Sequence, residues 1–192
     1  MDTQTRLLDV ALSLFAQAGY ENVGTQKIVT EAEVKKPTLY YYFGSKQGLL
    51  AAVLERFYGP FIKELEQQGQ QTEDLTGALE AMVNHYFEAA RTHPEAYRLG
   101  LSLMYASAQS EGFQAMQPYF QQQRQLLSDF FVAVVPRHGN LRGRHDFLSV
   151  AFLGAIHAQI TAAFSDEVAL DGLTSDHAFR TCKQFIHGIY AG

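Results

Sequence analysis

Along most of this chain apolar residues recur every three or four positions, the signature of amphipathic helices rather than strands. Leu7, Leu8, Ala11, Leu12, Leu14, Phe15 and Ala18 share one face of a helix over residues 4–18. Asp2 or Thr3 stands at its N-cap, and Gly19 where the chain must leave in a left-handed turn. Two short helices follow. The first covers residues 26–32 with Thr25 as cap. The second covers 36–42, with Pro37 in a first turn that leaves its N–H unused. A longer helix starts after Ser45, another N-cap, and carries Leu49, Leu50, Val53, Leu54, Phe57 and Tyr58. The same spacing predicts helices over 73–91, 95–107, 111–135, 144–164 and 175–190. No period-2 run marks a strand, so the expected fold is all-α with about nine helices. Gly59-Pro60 and Pro118 fall inside two of these helices. Each proline deletes a backbone hydrogen bond and is expected to kink or break its helix. Residues 67–72 and 137–143 read as loops, and Gln121, Gln122, Gln123 and Gln125 as a solvated helix face.

The two short helices flank Glu33-Val34-Lys35, a three-residue turn, which is the layout of a helix-turn-helix. Ile28, Val29, Ala32, Val34 and Leu39 can close an apolar seam against Leu8, Ala11, Leu12 and Phe15. That leaves Lys36, Thr38, Tyr41 and Tyr42 to face outward. A tyrosine in that position can donate to phosphate oxygens or lie on a thymine methyl. It can equally pack on a neighbouring helix, and the pattern alone leaves both readings open.

Composition first opposes a nucleic-acid role and then permits it. The 192 residues carry 15 Lys+Arg against 20 Asp+Glu, a formal net charge of −5. The charges are unevenly spread. Residues 1–46 hold five bases and five acids, whereas Thr25–Lys46 holds four lysines and two glutamates. The acidity therefore belongs to residues 47–192, behind a mildly basic segment. The 47% hydrophobic content indicates a globular chain. A single cysteine, Cys182, excludes an internal disulfide framework and a Cys-rich zinc site. No cleavable leader is expected, and no membrane span, because the most apolar stretch, 147–164, contains Ser149, His157, Gln159 and Thr161. These features point to a cytoplasmic protein.

The run Ala11-x-x-x-Phe15-x-x-x-Gly19-Tyr20, then Thr25-x-x-Ile28, then Pro37-Thr38-Leu39-Tyr40-Tyr41-Tyr42-Phe43-x-x-Lys46-x-x-Leu49-Leu50, resembles the DNA-binding domain of the TetR family of transcriptional regulators. The likeness covers residues 5–55 or so. It implies a DNA-binding domain over 1–46 and a larger effector-binding and dimerisation domain over 47–192. By the same resemblance Thr25 touches a phosphate, and Gln26 and Lys27 lie at the groove edge. Lys36, Pro37, Thr38, Tyr41 and Tyr42 face the major groove, and Tyr40 and Lys46 grip phosphates. Glu33 stands where the family often has a turn glycine, and Lys35 where it often has a serine cap. The partners implied are double-stranded operator DNA, a small effector, and a second copy bound through the last two long helices.

Effector candidates come from an aromatic and Met-rich stretch: Met82, Tyr86, Tyr97, Met104, Tyr105, Phe113, Met116, Tyr119 and Phe120. Such a lining suits a hydrophobic or aromatic molecule, although each residue could equally be core. His85, His157 and Gln159 are the polar groups placed to orient one. Catalytic residues, a resident cofactor and a metal site are not expected. There is no nucleophile elbow, phosphate-binding loop or dinucleotide-binding glycine pattern, and the seven histidines show no ligand spacing. The function expected is a repressor released from a palindromic operator by a small effector. The alternatives are a helical protein that sequesters a small molecule, and an activator that works with a protein partner and no small effector.

Overall fold

The computed structural model describes residues 2–70, 73–165 and 170–190, and among these it is entirely helical. Its helices are α1 (Thr3–Ala18), α2 (Thr25–Glu31), α3 (Lys36–Phe43), α4 (Lys46–Gly69), α5 (Leu75–Thr92), α6 (Pro94–Met104), α7 (Glu111–Val134), α8 (His145–Phe164) and α9 (Ser175–Tyr190). Short 3-10 turns at Gly139–Leu141 and Leu170–Gly172 complete it.

The capping residues explain the boundaries. The Asp2 carboxylate accepts from the Thr5 amide at 2.9 Å, which starts α1 and holds the Asp2 carboxyl below its ordinary pKa. Gly19, at φ +80°, ends that helix by donating to the Phe15 carbonyl. Ser45 Oγ accepts from the Gly48 amide at 2.9 Å and opens α4. Thr25, expected as a cap, is instead the first residue of α2, and Gly24 precedes it without a side-chain bond. Pro60 and Pro118 neither end α4 nor α7: each helix continues past its proline. Both prolines face outward, while apolar neighbours on either side (Tyr58, Phe61, Ile62; Met116, Leu127) are buried. Burial of that face outweighs one lost backbone bond.

The chain divides into two compact units. The first comprises Met1–Pro60 and His93–Phe120. In it α1 packs on α2 and α6, and α2 on α3. Leu7, Ala11 and Phe15 are fully buried, together with Ile28, Ala32 and Leu39. Leu8, Leu12 and Val34, expected in the same seam, are only half-buried. Gly100 allows α6 to approach Tyr58 closely, since an added Cβ would lie 1.7 Å from the Tyr58 hydroxyl. Burial raises the pKa of that hydroxyl. Tyr119 stacks at a tilt on Tyr58 and donates to Glu55 at 2.9 Å.

The second unit comprises Phe61–Thr92 and the chain from Gln121 onward. Here α5 packs on α8 and α9, and α8 on α9. Against expectation, α8 is long and apolar enough to cross a membrane by length and composition. It is apolar on every side, yet Phe152, Ile156 and Ile160 are completely buried within this unit. Cys182 is also buried, and burial lifts its thiol to about 11, so it stays protonated.

Candidate functional site

The candidate nucleic-acid interface is built by α2, a tight turn and α3. The Glu33 amide donates to the Thr30 carbonyl at 3.1 Å, and the Val34 amide to the Val29 carbonyl at 2.9 Å. These two bonds are the Schellman ending of a helix, which requires left-handed angles at Glu33. Glu33 has φ +52°, and it is the only non-glycine residue with positive φ among the described residues. Lys35, at the N-cap of α3, makes no side-chain capping bond. The turn therefore forms despite both unfavourable residues. What offsets them is the seating of Ile28, Val29, Ala32 and Leu39 in the core.

With Leu39 pinned inside, the rest of α3 is turned outward. Tyr41 is 83% exposed, Tyr40 43% and Tyr42 40%. Tyr41 and Tyr42 meet edge to face at 5.2 Å, which stiffens a protruding aromatic pair. Lys36 lies 6.0 Å from the Tyr40 ring centroid. Gln26, Lys27, Lys36 and Pro37 are exposed, and Thr25, Thr38 and Lys46 half-buried. All ten residues named from sequence as DNA contacts thus keep surface, on α2, α3 and the start of α4. Three lysines and three tyrosines beside a helix N-terminus make a surface suited to phosphates and base edges.

Lys46 is placed differently from the other lysines. Its Nζ sits 4.0 Å from the Tyr20 ring centroid. Partial burial lowers its pKa, while the carboxylates of Glu21 and Glu111 act in the opposite direction. Tyr20 is itself buried, and its hydroxyl donates to Glu111 Oε2 at 2.7 Å.

The effector candidates are shared between the two units. Tyr97, Met104, Tyr105, Phe113, Met116, Tyr119 and Phe120 belong to the first; Met82, His85, Tyr86 and His157 belong to the second. Tyr105 is 78% exposed at the end of α6. In the second unit Tyr86 is fully buried and donates to Gln123 Oε1 at 2.9 Å. Tyr86 meets His157 edge-on, with centroids 5.9 Å apart. Burial drops the His157 pKa to about 4, so the ring is neutral at pH 7. His85 stacks on Phe61 at 4.4 Å, and its Nε2–H donates to the Phe61 carbonyl. Gln159, expected to orient an effector, is instead exposed and bonded to His177 at 2.9 Å.

Gln123 escaped the sequence reading as part of a solvated glutamine face. It is 2% exposed. Its spacing carried the signal: Met116, Gln123, Leu127, Phe130 and Val134 share one stripe of α7, all buried.

Residues 7–53 match the model of the family described as bacterial regulatory proteins, tetR family. The HTH-type transcriptional regulator RutR of Escherichia coli is 31% identical over 102 residues, which is 53% of this chain and 48% of that protein. The chain spans less than half the length of the curated relatives it matches. Among solved structures, a TetR-like transcriptional regulator from Rhodococcus sp. RHA1 aligns with TM-score 0.76 at 20% identity, covering 99% of this chain and 97% of that one. FadR of Bacillus subtilis, solved with stearoyl-CoA, aligns with TM-score 0.73 at 17% identity, covering 93% and 96%.

Proposed function

We propose that this chain, whose residues 7–53 match the model of the tetR family of bacterial regulatory proteins, is a cytoplasmic transcriptional repressor. It binds a palindromic operator as a homodimer and leaves it when a small, largely hydrophobic effector enters the larger helical domain. The observation that carries this reading is the outward face of α3. Three consecutive tyrosines stay at least 40% exposed while Leu39 between their helix and the core is completely buried. Aromatics left this exposed in the free protein fit a surface used for contact.

The dimer reading rests on α8 and α9. Phe147 is 72% exposed and Val150 53%, and Gly154 and Ala158 continue the same stripe outward. On α9, Phe179 is 42% exposed. The spacing puts Phe179, Cys182, Ile186, Ile189 and Tyr190 on one apolar stripe of α9; Cys182 and Ile186 are buried, and the side chains of Ile189 and Tyr190 lie outside the described residues. Small residues let a second helix approach closely, and a mate would cover the bulky ones. Such a dimer sets two recognition helices about 34–36 Å apart, one duplex turn. An effector that prefers another spacing then shifts the population away from the bound form.

Selection of duplexes from randomised DNA tests the function. A palindromic sequence should emerge, bound by a species of twice the chain mass in sedimentation. Recovery of random sequences alone, or a strict monomer at micromolar concentration, refutes it. A protein that only sequesters a small molecule would enrich no duplex.

A further inference from the structure

We propose that Glu111, the first residue of α7, is a positioning residue for operator binding: through Tyr20 it holds the Lys46 ammonium in the place from which it meets a phosphate. The inference rests on the DNA-binding reading above and adds residues outside α2 and α3 to it.

Lysine is a poor fixed contact. Its ammonium sits on four rotatable bonds, and holding it in one place costs entropy. Here three neighbours restrict it. The Tyr20 ring lies 4.0 Å from Nζ at its centroid, a cation–π distance. The carboxylates of Glu21 and Glu111 attract it electrostatically. Tyr20 is held in turn. Gly19, at φ +80°, delivers it from the end of α1, and Phe15 meets its ring edge-on at 5.1 Å. Its hydroxyl is tied to Glu111 Oε2 at 2.7 Å.

The first turn of α7 is seated closely enough to transmit its position. A Cβ added to Gly112 would fall 2.7 Å from Leu103 Cδ2 and 3.5 Å from the Tyr20 ring. A side chain there would have to push the end of Leu103 aside. The order is therefore Glu111, Tyr20, Lys46, all three within the first compact unit. An ammonium over a ring face still points N–H donors away from it, so the same seat leaves Lys46 able to donate to a phosphate.

A thermodynamic cycle decides this, on a duplex selected by the wild-type chain and at one fixed salt concentration. Glu111→Ala should weaken binding about three- to five-fold, the range of one exposed charge contact. In a Lys46→Ala background the same substitution should change affinity by less than about 1.5-fold, because its effect runs through Lys46. Tyr20→Phe keeps the ring and removes the hydroxyl; it should reproduce the loss and add nothing to Glu111→Ala. Glu111→Gln, which keeps an acceptor for Tyr20, should recover part of the binding. In the DNA-free protein, the ring current of Tyr20 should move the Lys46 ε-methylene protons upfield, and Glu111→Ala should return them toward their ordinary position. Equal losses with and without Lys46 mean that Glu111 only supports the fold, and overturn the proposal. Unchanged or tighter binding by Glu111→Ala overturns it too, as do Lys46 resonances that ignore Glu111. If the wild-type chain enriches no duplex, the DNA-binding reading fails, and the resonance experiment still decides whether Glu111 seats Lys46.

Discussion

Replacing Glu33 by glycine should stabilise this protein. Glu33 occupies left-handed angles, with φ +52°, because two bonds of the α2 ending demand them. A side chain there costs about 1–2 kcal/mol, since Cβ crowds the carbonyl oxygen. Glycine removes that cost but is freer in the unfolded chain, which returns roughly 0.5–1 kcal/mol. The net gain is about 0.5–1 kcal/mol, or a rise of about 1–4 °C in Tm for a chain of this size. Thermal unfolding followed by circular dichroism at fixed protein concentration measures it. Hydrogen exchange of the Val34 amide, bonded across the turn to Val29, should slow in parallel. Glu33→Ala supplies the control, because it removes the carboxylate and leaves the strained backbone. Glu33→Ala should leave Tm unchanged, while both variants bind operator more tightly by the same factor, each having lost one negative charge near the phosphates. A Tm for Glu33→Gly at or below wild type refutes the reasoning, as does an equal gain from alanine.

Tyr42→Ala should weaken operator binding by about 1–3 kcal/mol if the ring meets a base, and Lys46→Ala should weaken it by an amount that shrinks as salt rises. A gel shift over a salt series measures both. Gly100→Ala should destabilise by about 1–3 kcal/mol, because its Cβ would meet the Tyr58 hydroxyl at 1.7 Å, and Tyr58→Phe should recover part of the loss; denaturant unfolding reads it. His157 has a folded pKa of about 4 against 6.5 unfolded. Below pH 6.5 the unfolded chain binds its proton and the folded one does not. The contribution is complete above pH 6.5 and falls by about 2–3 kcal/mol as pH drops toward 4. The difference in stability between wild type and His157→Gln should narrow over that window, as read by urea unfolding at several pH values.

Local structure was legible in the sequence wherever it depends on neighbours a few positions apart. Asp2, Gly19 and Ser45 mark helix ends because a cap bond spans three or four residues. The fixed spacings from Ala11 to Leu50 were enough to expect a helix-turn-helix, and the turn at Glu33 carries the strain its residue type implies. Contacts between distant segments were decided by tertiary structure. Which of Leu7 and Leu8 faces the core depends on how α1 is rotated against α2 and α6, and Leu7 is the buried one. Pro60 and Pro118 read locally as breaks, yet burial on either side carries the helices through. A run of glutamines reads as solvated, and Gln123 is inside because α7 turns that one position toward Tyr86. The motif marks Lys46 for a phosphate but not what holds it: the fold brings Tyr20 and Glu111 to it from segments 26 and 65 positions away. Hydrophobic periodicity sets where helices lie, because it is a property of each segment alone. Which polar groups meet is a property of how those segments pack, and no local pattern encodes it.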